Sequence, residues 1–154
     1  MAYKRMAALL LGLTAAPALS ACAGASPPGP GALTELSGVW TAQSGNVDVA
    51  ILGCGEALCG DIVRVHGNVS MSEPGKQAAG APPAQGMRIF SGLKPAGRSR
   101  WKGKIFNREK NQTYDCIVTS LGEGELEVRP YVVLESIGQT QVWRRAPPVT
   151  AASS

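Results

Sequence analysis

The chain has one histidine, His66, and no group of metal-ligating residues around it. A metal site needs three or four ligands, and two neighbouring cysteines with one separate histidine do not supply them, so no metal and no other cofactor is expected. There is no Gly-x-Ser-x-Gly elbow, no His-Glu-x-x-His pair and no glycine-rich loop opening a helix, which removes the common signatures of serine hydrolases, zinc proteases and nucleotide-binding enzymes. The acidic residues are scattered, and Glu125 and Glu127 alternate with Leu126 and Val128 as on the outward face of a strand. No catalytic residue is assigned, and the chain reads as a non-enzyme. Strong net charge is missing too: without Lys4 and Arg5 of the N-terminal segment, 13 of the 15 basic residues stand against 11 acidic ones. The one local cluster, Lys94, Arg98, Arg100, Lys102 and Lys104, reads as the solvated face and turn of a strand pair, and nucleic acid is not an expected partner.

No apolar run is long enough to cross a bilayer, but a short one is informative. Lys4-Arg5, the apolar stretch Met6 to Ala18 and the boundary Leu19-Ser20-Ala21-Cys22 have the n-region, h-region and small-residue edge of a secretory signal. The boundary also resembles the bacterial lipobox, in which cleavage leaves an acylated cysteine as the first residue, so residues 1–21 are expected to be the signal and Cys22 a lipid anchor. Cleavage at Ala21-Cys22-Ala23 as an ordinary small-x-small site would instead release a soluble periplasmic or secreted protein. The address expected is the periplasmic side of the envelope, on the outer membrane in preference to the inner, because Ala23 lacks the acidic character of an inner-membrane retention signal. Residues 22–35, rich in Pro and Gly, read as a tether, residues 36–145 as the folded unit, and residues 146–154 as a fraying tail.

Inside the folded unit the apolar period is two. Val47, Val49 and Ile51, then Leu58 and Ile62, then Trp101 and Ile105 alternate with other residues, and further strands are expected over 39–43, 87–93, 113–121, 125–133 and 139–145. Turn signals separate them, and no helix is expected after the signal. About eight short strands joined by hairpins in one small domain predict an all-β, antiparallel up-and-down barrel, which leaves no exposed sheet edge. The long segment from Gly67 to Gln85 is rich in Ala, Gly and Pro and reads as a mobile insertion, with a lid over the barrel mouth as the functional alternative. Export permits disulfides, and Cys54 and Cys59 flank a turn where their side chains can meet. Cys116 is left over, either a buried small hydrophobe or a reactive thiol.

The pieces Gly38-Val-Trp40, Cys54-Gly-x-x-Leu58-Cys59-Gly60-x-Ile62-Val63, Gly92-Leu93, Trp101-x-Gly103-x-Ile105, Thr113-Tyr114 and Gly138-x-Thr140-Gln141-x-Trp143-x-Arg145 resemble, in that order, the exported bacterial proteins of domain of unknown function 2147. The resemblance implies a lipocalin-like (calycin-like) barrel. It also implies that Gly38 and Trp40 on the first strand, with Arg145 or its neighbour Arg144 on the last, close one barrel end by setting a cation over an indole face. The chain departs from the family pattern in lacking an acidic, Asn-Pro-containing segment before Gly92-Leu93, and in having Asn111 in a turn and Pro130 within a strand. Pro130 removes a strand donor and predicts a bulge or a local edge.

Two functions remain open at this stage. A barrel of this size either holds one small molecule, here an apolar one, or is filled by its own side chains. Gly60, Gly92, Gly103 and Ala50 would leave room if they face inward, whereas Trp40, Trp101 and Trp143 would fill it. The first case gives a membrane-tethered carrier of a small hydrophobic ligand, the second an envelope scaffold whose outer surface binds a partner. A thiol-dependent enzyme would require an accessible Cys116.

Overall fold

The computed structural model describes residues 30–147, except 74 and 137. Residues 1–21, expected to be a signal, Cys22 and the far end of the tail lie outside the described residues. A short helix, α1 (Pro30–Leu36), precedes eight strands: β1 (Gly38–Thr41), β2 (Val47–Cys54), β3 (Ala57–Val65), β4 (Arg88–Pro95), β5 (Arg100–Asn107), β6 (Gln112–Gly122), β7 (Glu125–Tyr131) and β8 (Gln141–Arg145). Every strand pairs antiparallel with its chain neighbours, and β8 returns to β1 to close the barrel. Closure is narrow: Trp40 faces Arg145, Thr41 faces Arg144, and Ala146 N–H adds a bond of 2.9 Å to the carbonyl of Val39.

Alternation sends one side-chain set inward. Trp40, Val49, Ile51, Leu58, Phe90, Cys116, Val118, Leu126 and Val128 are buried and form one core cluster. The β4 strand breaks the alternation twice. Opposite Gly60 and Asp61 the register slips, so that the successive Ile89 and Phe90 are both buried, and between Ser91 and Lys94 a second bulge turns Leu93 inward. Gly92 sits in that second bulge with φ at 62°, a conformation that favours glycine.

Three expectations need correction. The segment before the barrel is not an extended tether up to residue 35, because Pro30–Leu36 is helical and Leu36 is fully buried beneath the barrel. Among its described side chains Leu33 and Leu36 face the core, too short a pattern to read as a helix, and the turn is held by packing and not by propensity. The glycines do not leave room. A Cβ on Gly60 would lie 2.8 Å from the Phe90 ring and one on Gly103 would lie 2.8 Å from the Ser91 carbonyl, while Gly92 and Ala50 do not belong to the core. The long segment after β3 is not a loose insertion: it is tied to two turns, as detailed below.

Other readings hold in detail. Asn111 takes φ at 51° in the β5–β6 turn, the left-handed position that asparagine tolerates. Pro130 lies in a gap of the β7–β8 pairing, between Val128 facing Gln141 and the bridge of Tyr131 to Gly138, so the pairing is interrupted where its N–H is missing. The strand expected over 125–133 ends at Tyr131, and Val132, Val133 and Leu134 stand exposed.

Candidate functional site

The two ends of the barrel differ. At the end carrying α1, the Arg145 guanidinium lies 4.2 Å from the Trp40 ring centroid, and Trp40 Nε1 donates to the Leu36 carbonyl at 2.9 Å. Glycine is favoured at Gly38, whose φ of 137° side chains rarely adopt and where a Cβ would run into the Arg145 guanidinium. Arg144, the other basic residue considered for this position, is not brought there. Its side chain is exposed and pairs with Glu125 at 3.1 Å. The bridge between Cys54 and Cys59 is present, with Cα atoms 5.8 Å apart, and pins the β2–β3 turn at the same end. Phe90 and Trp143 stack at a centroid distance of 5.1 Å and an angle of 52°, partitioning this filled half from the other.

Beyond that partition the barrel opens into a cavity of about 160 Å³. Its floor is apolar, made by Val47, Ile62, Ile89, Ile105 and Trp143, and its rim is polar, with Asn107, Arg108, Lys110, Tyr114 and Gln141. The Trp143 indole N–H donates to Gln141 at 3.1 Å, so the one polar atom of the floor is already occupied.

The segment after β3 lies across this mouth and lends Met71 and Ser72 to the cavity wall. Two anchors hold it. On one side the Asn46 side chain acts as a strand neighbour, accepting from Val69 N–H at 2.8 Å and donating to the Val69 carbonyl at 2.7 Å. On the other, the Glu109 carboxylate accepts from Met71 N–H at 2.7 Å and from the Ser70 hydroxyl at 3.1 Å, while Arg108 donates to the Ala81 carbonyl at 2.8 Å. The segment also has a ladder of its own, with Val69 bridged to Gln77. Neither Asn46 nor Glu109 was legible as a functional residue, because each looks like an ordinary turn residue and its partner is 23 or 39 positions away.

Below the rim, on the outer face, Asp48 is nearly sealed, its side chain only 3% exposed. It accepts from Thr41 at 2.7 Å and contacts His66 at 3.0 Å and Arg64 at 2.7 Å. Burial works against its ionisation, but the Thr41 and His66 bonds and the positive charges beside it prevail, holding its carboxyl below the usual value. His66 is thus engaged here and stands apart from Cys116. The Cys116 thiol is fully buried inside the barrel, and burial pushes it up to about 12, so it is inert as a nucleophile. Among the described residues, no three of the His, Cys, Asp or Glu side chains gather as a metal site.

An eight-stranded antiparallel barrel, sealed at one end by an indole under an arginine and open at the other above a small apolar cup, has the architecture of a lipocalin-like barrel. The chain belongs to the family described as uncharacterized protein conserved in bacteria (DUF2147), which matches residues 38–145. Among solved structures it is similar to protein HP1028 from the human pathogen Helicobacter pylori, described as belonging to the lipocalin family. The TM-score is 0.56 and the identity 19%, over 73% of this chain and 84% of that one, a likeness that shows the fold. No curated protein matches the chain.

Proposed function

We propose that this protein is a non-enzymatic envelope lipoprotein, tethered through Cys22, which takes a small apolar molecule, or the apolar end of a larger one, into the lidded mouth of its barrel. The observation that carries the reading is the cup itself: an apolar floor under a polar rim, about 160 Å³ in volume, with a segment tied across it. A dry apolar cavity of about 150 Å³ accepts a benzene-sized group, whereas whole drug-sized ligands need about 300 Å³ or more. The cup as closed therefore suits a ring or the end of an acyl chain, and a longer ligand requires the lid to lift. The family resemblance supports the reading at the level of fold, and the buried, protonated Cys116 speaks against thiol chemistry.

The test is native mass spectrometry of the exported chain, gently purified from cells. A mass excess that disappears on denaturation identifies the carried molecule. A bare mass, with no adduct after challenge with a lipid extract, overturns the carrier reading. An acyl group on the Cys22 peptide, read in the same instrument, tests the anchor separately.

A further inference from the structure

We propose that the outer face of β5, together with the loop that follows β7, is a docking surface for an anionic lipid bilayer. Strand alternation points Arg100, Lys102 and Lys104 outward in a row, and the β4–β5 ladder sets Lys94 directly opposite Lys102. Arg98 follows in the connecting turn. Like charges facing each other across a ladder cost stability, so such a row calls for a counter-charge. The protein supplies only part of one: Glu135 binds Arg100 at 2.7 Å and also Lys102, and Asp115 binds Lys104 at 2.7 Å. Among the described residues, Lys94 and Arg98 have no ion-pair partner.

The same Glu135 bonds fix the loop beside this row, and the loop holds three consecutive apolar side chains in water. Val132, Val133 and Leu134 are 71%, 81% and 55% exposed. Three side chains fall well short of the roughly 1,000 Å² that a specific protein interface needs. A bilayer asks for less, because a few apolar groups entering the headgroup region, flanked by basic residues attracted to anionic lipid, suffice for peripheral binding. The position of the chain agrees. Glu35 of α1 meets Ser99 of the β4–β5 turn at 3.4 Å, so the N-terminal segment arrives beside the basic face. Cys22 lies eight residues before Pro30, a reach of about 28 Å when fully extended. An anchored barrel is thereby kept within contact range of the membrane. This last step rests on the Cys22 anchor, whereas the charge and apolar arguments do not.

The test uses Val133→Trp in the full exported chain, reconstituted into vesicles of phosphatidylglycerol and phosphatidylethanolamine carrying brominated acyl chains. Trp40, Trp101 and Trp143 are at most 3% exposed, so quenching by bromolipid reports the new indole alone. The expected result is a blue shift and strong quenching in anionic vesicles, absent in purely zwitterionic ones. Adding Lys94→Ala and Arg98→Ala, two surface changes that break no bond in the fold, should weaken docking roughly 30-fold. No quenching, or quenching indifferent to lipid charge and to these two changes, overturns the proposal. Quenching with an unacylated Cys22 keeps this surface and overturns the anchor, and an acylated chain without quenching does the reverse.

Discussion

Removing the Glu109 carboxylate should loosen the segment over the mouth while leaving the barrel alone. Glu109→Ala deletes two bonds to the segment, from Met71 N–H at 2.7 Å and from the Ser70 hydroxyl at 3.1 Å. Bonds to a charged acceptor contribute about 1.5–3 kcal/mol when buried, but these are only partly shielded from water, so roughly 1–2 kcal/mol for the pair is the better figure. That raises the opening constant of the segment about 5- to 30-fold. The β5–β6 turn itself survives, because Asn107 Oδ1 still accepts from Lys110 N–H and Asn111 N–H still bonds the Arg108 carbonyl. Native-state hydrogen exchange provides the assay. The Ser70 and Ala78 amides, bonded to Lys76 and Asn68 within the segment, should exchange faster by that factor, and amides of β6 and β7 should not change. Glu109→Gln, which keeps an acceptor without the charge, should fall between. Unchanged exchange at Ser70 and Ala78 would show that Glu109 does not help to hold the segment and would refute its place in the two-anchor account. Uniform acceleration over the barrel would refute the idea that the segment opens as a separate unit.

Three further outcomes follow from the packing and the charges. Gly60→Ala and Gly103→Ala should each lose about 1–3 kcal/mol in urea unfolding by overpacking, with Gly103→Ala the worse, since its Cβ meets the Ser91 carbonyl and the Leu93 backbone and not a movable ring; equal stability to the parent would mean the interior has slack. Asp48 is held below its ordinary value of 3.8, so its stabilising effect is present above that pH and is lost as pH falls through the folded value. Asp48→Asn should therefore be less stable than the parent at pH 7, with the gap closing in strong acid, and parallel pH profiles of the two unfolding midpoints would contradict this. Cys116 should resist a thiol reagent at pH 8 in the native protein and react only on unfolding, because burial keeps it protonated; native labelling would put it at an accessible site.

The eight strands were readable because a strand buried on one face alternates, and glycine or asparagine marks several of the left-handed turn positions, as at Asn111, although Ser99 and Glu123 turn left-handed without either. What escaped the sequence depends on contacts between distant positions. Whether Arg144 or Arg145 meets Trp40 is a matter of one residue of register, fixed only when β8 pairs with β1. Glycines promised interior space, yet the two β4 bulges deliver Phe90 and Leu93 into it, and a bulge leaves no composition signature there apart from Gly92. The segment after β3 has the composition of a mobile insertion, and its order comes from Asn46 and Glu109, side chains supplied by other turns.

The size of side chains along the barrel axis decides which half can act. Toward α1 the interior is occupied by Trp40, Trp101, Leu58 and Leu93, all at most 2% exposed, and the end is sealed by Leu36, which is bonded through its carbonyl to the Trp40 indole. Toward the mouth the inward residues are Val47, Ile62 and Ile105, too short to meet across an eight-stranded barrel, and the space between them is the cup. The two covers differ in the same sense. Opening the α1 end would expose a fully buried leucine and uncover an indole, whereas the segment over the mouth is held by a handful of side-chain bonds to the turns and buries little apolar surface of its own, since Val69 and Met71 are already 43% and 41% exposed and Ala78 is its one buried apolar side chain among the described residues. Any exchange between the interior and its surroundings therefore favours the mouth, and the residues that set its rate are Asn46, Arg108 and Glu109 on the turns, not the strands that build the barrel.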